Sequence, residues 1–307
     1  MAPIHSEGLF QAEVALTLFG YARPSELLRG VVNSNLIYGQ AGQDFLDGSD
    51  DDLHLWVITQ RAEPIQRFDP SDPERVLPTG PVSQFQTVRD AAKNLLSKQL
   101  GITEPVKLRS LDYLDNPDRA GSERTIAFPF WGVVDISTVA PFLGGTNQVG
   151  LQAVNSRGVI AELRDQFPKE TFDGRSRFGY RVMPDSSRGH FKYLPKDYQG
   201  RKILGLDHDL ITFYAWRRLR YAFGSKVDPM RVMELNPLGR EFRLSDLQEL
   251  YEVSLGKTQQ RDAFRRQMLE QTNPYIEESG TTDSSRQGKP AKVYRLKSWA
   301  EPGRSRD

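Results

Sequence analysis

Gln260, Arg261, Arg265 and Arg266 fall within a single stretch, QQRDAFRRQMLE at 259–270, in which Phe264 and Met268 stand four residues apart. On a helix, that apolar pair anchors one face and leaves the Gln and Arg side chains outside. Arg matches the guanine edge and Gln the adenine edge in the major groove, and both can hold phosphate. Lys257 and Thr258 just before the stretch, and Arg286, Lys289 and Lys292 after it, add cations and a hydroxyl of the same use. This is chemistry for reading DNA rather than for making or breaking bonds. The net charge is only +1, from 41 basic and 40 acidic residues, so its distribution carries the signal. Acid gathers in DFLDGSDDD at 44–52 and base in the last third.

A charge run alone is ordinarily a solvated face, so the elements around it decide. Upstream, RLSDLQELYEVSL at 243–255 has Leu247, Leu250, Tyr251 and Leu255 at helical spacing, with Ser245 as N-cap and Gln248 three places on. Gly256 breaks that helix, and Thr258 can cap a second helix over 259–270. A polar loop at 277–288 then leads into an alternating strand, Lys292 to Lys297. Helix, short turn, helix and basic strand together predict a winged helix-turn-helix. A further helix, from Leu206 to Phe223 with Asp207 as N-cap, opens this C-terminal part, and the boundary is set near residue 200.

The first 200 residues read as mixed α/β. Val14–Phe19, Leu53–Thr59, Lys107–Leu114 and Thr125–Asp135 are rich in β-branched and aromatic residues and are expected strands. Between them, 86–100 places Val88, Ala91, Ala92, Leu95 and Leu96 at helical spacing, closed by Gly101. The stretch 144–202 is rich in Gly, Arg, Ser and Pro and is expected to hold loops and short elements.

The segment GPVSQFQTVRDAAKNLLSKQLGI at 80–102 fits the spacing of the Nudix signature without a gap, from Gly80 to Gly101 and Ile102. The lead-in Leu77-Pro78-Thr79-Gly80 and the basic end of LWVITQR at 55–61 strengthen the match. The acids of the signature are absent: Gln86, Asn94-Leu95, Lys98 and Gln99 stand where it has Glu, Arg-Glu and two metal-binding Glu. Mg²⁺ needs hard oxygen ligands, which a lysine cannot give and neutral amides give poorly. The expected fold is therefore a Nudix-like α/β/α sandwich without hydrolase chemistry, residues 1–200, followed by the winged helix-turn-helix, residues 201–307.

In this order of parts the chain resembles the Nudix-related transcriptional regulators of NAD metabolism, the NrtR family, and its longer NadQ-type relatives. The box at 80–102, the entry LGLDH at 204–208, FRLSDLQELYEVSL at 242–255, AFRR at 263–266 and GKPAKVYRL at 288–296 carry the resemblance. It implies a dimeric repressor on a palindromic double-stranded operator before NAD-synthesis or salvage genes. It also implies a Nudix pocket that reads NAD, ADP-ribose or a related nucleotide such as ATP. A pyrophosphate calls for charge-assisted donors, which makes Arg61, Arg175, Arg177 and Arg181 the candidates, with Trp131 or Phe130 stacking on adenine.

Two other classes compete. A Nudix hydrolase with relocated ligands would draw on Glu63, Asp69, Asp72 and Glu74; an interaction module would use the winged helix to bind protein. No catalytic or metal-binding residue and no cofactor is assigned. His5, His54, His190 and His208 are dispersed, and the chain has no cysteine, which removes disulfide, thiolate-metal and cysteine-nucleophile chemistry. No window reaches the ~20 apolar residues of a membrane span, and a cytoplasmic protein is expected.

Overall fold

A computed structural model gives the architecture; it describes residues 11–23, 27, 37–38, 52–62, 74–114, 125–139, 143, 149–154, 204–224, 238, 241–255, 258–269, 276–284 and 290–297. In chain order these hold β1 (Gln11–Ala22), β2 (Ile37–Tyr38), β3 (His54–Arg61), β4 (Arg75–Val76), β5 (Thr79–Pro81) and α1 (Val88–Gln99). Then come β6 (Arg109–Ser110), β7 (Thr125–Val133), α2 (Ile136–Val139), β8 (Gly150–Ala153) and α3 (His208–Gly224). The C-terminal elements are β9 (Glu241–Arg243), α4 (Leu244–Leu255), α5 (Arg261–Leu269), β10 (Ile276–Asp283) and β11 (Ala291–Leu296).

The large sheet runs β2-β8-β3-β1-β7-β6, with β4 on β3 and β5 on β1. β1 is its axis. It pairs antiparallel with β3 and β5 and parallel with β7 over nine residues, Gln11↔Thr125 to Phe19↔Val133. Strand alternation sends successive side chains to opposite faces, and here both faces are covered. Val14, Leu16, Leu18, Trp56, Ile58 and Phe130 pack under α1 through Ala91, Ala92, Leu95 and Leu96. Ala15, Phe19, Leu55, Val57, Ala127 and Trp131 lie on the other face in one core with α3, which contacts β1 and β7. The result is the expected α/β/α sandwich.

The second of these cores does not stop at the sandwich. It continues through Phe223 into Tyr251, Phe264, Met268, Phe242 and Tyr294 of the C-terminal elements. This explains why residues 208 to 216 of α3 are all buried: one side of the helix meets the sheet and another meets α4.

Several boundaries moved. α3 begins at His208, after Leu206 in a left-handed conformation at φ 58°. α4 begins at Leu244, one residue before the expected cap Ser245, and Asp246 accepts from the Arg243 backbone N–H at 3.3 Å. Of the expected strand at 107–114 only Arg109–Ser110 is extended, with an isolated bridge from Leu114 to Ala127. The expected polar loop after residue 276 is instead strand β10 through Asp283. It pairs antiparallel with β11 around an irregularity that contains Gly280 at φ 84°. One face of this hairpin is exposed, so apolar alternation is not required for it to form.

Candidate nucleotide domain and nucleic-acid interface

The box segment folds as its spacing requires. Thr87 caps α1, accepting from the Asp90 N–H at 3.1 Å. Gly101, at φ 64°, ends the helix region, and Ile102 N–H closes back on the Leu96 carbonyl at 3.0 Å. Gly80 lets β5 approach α1 closely: a Cβ there would lie 3.3 Å from Leu95 Cδ1 and 3.9 Å from Gln99 Nε2. Gln99 thus sits beside the first glycine of the box, with Lys98 exposed next to it. Gln86 lies in the turn before the helix, its N–H bonded to the Ser83 carbonyl at 3.0 Å. An ammonium and two amides at these positions do not fit a magnesium ion. Among the described residues, no cluster of three or more His, Asp or Glu could hold one.

Among the described residues, the effector candidates Arg61, Trp131 and Phe130 do not face one site. Arg61 ends β3, half exposed, with Glu74 3.5 Å away. Trp131 is 3% exposed on the α3 side of the sheet, with the Arg109 guanidinium 5.8 Å from its ring centroid. Phe130 is equally buried but on the α1 side, under Arg89 at 5.9 Å. Both aromatics are core residues in a strand buried on two faces, so neither presents an open ring face to adenine. Arg175, Arg177 and Arg181 lie outside the described residues, as do Glu63, Asp69 and Asp72.

In the C-terminal part, the turn between α4 and α5 is fixed by side chains of α4. Glu252 accepts from the Gln259 N–H at 2.7 Å, and Gln248 donates to the Gln259 carbonyl at 3.0 Å. α5 therefore starts at Arg261, two residues later than expected, and Gln260 supplies the carbonyl bonded to the Phe264 N–H. Phe264 and Met268 are buried as anchors. Thr258, Gln260, Arg261, Arg265 and Arg266 are all exposed, so the structure gathers these at one helix entry and face. Among the described residues none of the three arginines pairs with a carboxylate. Lys292 lies on β11 and is held by Glu278 at 2.7 Å. Lys257, Arg286 and Lys289 lie outside the described residues.

Sequence reading missed the residues that join the two parts. Tyr21, at the end of β1, is 2.7 Å from Ser254 Oγ of α4. Ser254 uses its own hydrogen on the Leu250 carbonyl, so Tyr21 is the donor. Burial pushes the Tyr21 phenol well above its ordinary range, which keeps that donor protonated. Arg23 donates from Nη2 to the Glu249 carboxylate of α4, with both oxygens at 2.5 Å. His208, fully buried at the start of α3, accepts the Leu77 N–H on Nδ1 at 3.0 Å and ties the box lead-in to α3. Four aromatic rings, Tyr21, Phe223, Tyr251 and Phe264, touch in sequence with centroids 6.4, 5.0 and 5.4 Å apart.

Residues 234–296 match the family model of the NrtR DNA-binding winged helix domain. No curated protein sequence matches the chain. Among solved structures, the chain is similar to NrtR of Shewanella oneidensis complexed with a 27mer DNA, at 18% identity and TM-score 0.53, covering 93% of each chain. It is similar to NrtR of the same organism without DNA, at 16% identity and TM-score 0.54, covering 94% of each. A MutT/nudix family protein from Enterococcus faecalis matches at 16% identity and TM-score 0.54, over 95% of this chain and 89% of that one. The sandwich thus has a Nudix fold, residues 234–296 match the NrtR DNA-binding winged helix domain, and the chain as a whole shares the fold of the solved NrtR structures.

Proposed function

We propose that this protein is a transcriptional regulator, a repressor of NAD-synthesis or salvage genes, whose Nudix domain senses an ADP-containing nucleotide and catalyses nothing. The observation that carries the reading is the pairing of two features in one chain. A recognition helix presents Arg261, Arg265 and Arg266 outward, and a Nudix box keeps its geometry while holding Lys98 and Gln99 where carboxylates would hold metal. The nucleotide candidates are NAD, ADP-ribose and ATP, with Arg61 as a pyrophosphate contact. The protein acts as a homodimer in the cytoplasm, on a palindrome whose half-sites are separated by about one helical turn, ~34–36 Å, or a multiple of it. The test is a mobility-shift assay on the promoter regions of NAD genes with and without each nucleotide.

A sensor of this kind does not turn its ligand over. Incubated with Mg²⁺ or Mn²⁺, the purified protein leaves ADP-ribose and NAD intact by chromatography. Metal-dependent turnover on the order of 1 s⁻¹, an ordinary enzymatic rate, would contradict this.

The division near residue 200 separates sensing from DNA reading, with α3 serving both. β1 spans the two: its first half pairs with the box lead-in at Thr79–Pro81, and its end is bonded to α4. Allosteric coupling needs an element that both sites bias, and β1 with α3 is that element. Combining Tyr21→Phe with Glu249→Gln therefore lowers the nucleotide's effect on operator affinity. From a coupling of about 5–150-fold, the usual range, it falls toward unity while each ligand still binds alone. Operator titrations at zero and saturating nucleotide read the factor, and an unchanged factor refutes the route.

A further inference from the structure

The wing is not simply basic. β10 carries Glu277 and Glu278, and each holds a cation of β11: Arg295 Nε lies 2.9 Å from Glu277 and Lys292 Nζ lies 2.7 Å from Glu278. The two pairs differ in position. Tyr294 stands opposite Glu278 in register, and two residues along the same face of β11 is Lys292. Arg295 stands opposite Glu277 on the other face. The hydrogen bond and charge of Glu278 hold the Lys292 ammonium above the ordinary lysine range. Both members of the Lys292–Glu278 pair are more than half exposed.

We propose that Glu278 is a specificity-determining residue of the DNA interface, an internal carboxylate that occupies Lys292 until a phosphate of correctly docked DNA displaces it. This rests on the DNA-reading function proposed above. The physical argument is competition. A DNA phosphate must replace a carboxylate already bonded to Lys292, and the displaced Glu278 remains as a negative charge beside the backbone. On random DNA the wing contact gains too little to open the pair. On operator, where the arginines of α5 fix the register, the phosphate is delivered at a set place and the exchange proceeds. An exposed ion pair is weak and screened by solvent, so the discrimination is a matter of a few-fold in affinity, not of decades.

The experiment measures binding by fluorescence anisotropy over a salt series. It uses the footprinted operator and a random duplex of equal length, with the full chain as wild type, Glu278→Gln, Glu277→Gln, Lys292→Ala and the Glu278→Gln/Lys292→Ala double variant. Glu277→Gln removes the same charge from the same strand and releases Arg295, on the other face, instead of Lys292. Glu278→Gln is expected to tighten random-DNA binding about two- to fivefold, the scale of one exposed pair. It should steepen the random-DNA salt slope by roughly 0.9, one added phosphate contact. Operator affinity should rise less, so the specificity ratio falls, and the gain should vanish in the double variant. Equal gains from Glu278→Gln and Glu277→Gln, or a gain that survives without Lys292, overturn the proposal. If the wild type binds neither duplex, the DNA-reading function itself fails and this proposal with it.

Discussion

Replacing Arg261, Arg265 and Arg266 together with Ala abolishes operator protection in a footprint while leaving the fold intact. All three side chains are exposed on α5, and none supports the core, which rests on Phe264 and Met268. Each base-reading Arg contributes about 1–3 kcal/mol of discrimination, so the loss of three, about 3–9 kcal/mol, is comparable with the gap of about 4–10 kcal/mol that separates a site from random DNA in many regulators. Single substitutions should relax sequence preference at one position in each half-site. Normal protection by the triple variant would mean that α5 is not the reading helix.

Phe264→Ala lowers the unfolding free energy by about 3–5 kcal/mol in a denaturant titration. Phe264 is 2% exposed and stacks edge-on to Tyr251, which meets Phe223 of α3. Truncation opens a cavity where α5 is seated and breaks the aromatic row that joins it to β1. Phe264→Leu should recover part of the loss because it keeps most of the buried volume. A cost below about 1 kcal/mol for the Ala variant would show that α5 is held by other contacts.

Local pattern was legible where a segment's structure depends on its own residues. The helix at 88–99 follows from its apolar spacing, and the reading pair of helices follows from Leu247, Leu250, Phe264 and Met268. β10 was hidden because Glu277, Glu278, Ser279 and Thr281 look like a loop. The strand exists through its pairing with β11, and an exposed hairpin face needs no apolar code. Trp131 and Phe130 drew attention as aromatics, yet alternation along a strand buried on both faces sends them into opposite cores. The residues that join the sandwich to the winged helix left no local signal at all. Tyr21 and Ser254 are 233 positions apart, Arg23 and Glu249 226, and Leu77 and His208 131. Only the packing of α3 and α4 against β1 brings them together.

Nucleotide binding and DNA binding are expected to be coupled within this one chain. Calorimetry of NAD, ADP-ribose and ATP on the full chain, with and without saturating operator duplex, measures that coupling. One of these nucleotides should bind, and its affinity should change with operator present by the same factor by which it changes operator affinity, as reciprocity requires. Binding of a nucleotide with an affinity indifferent to operator, or no binding of any of the three, would contradict the account.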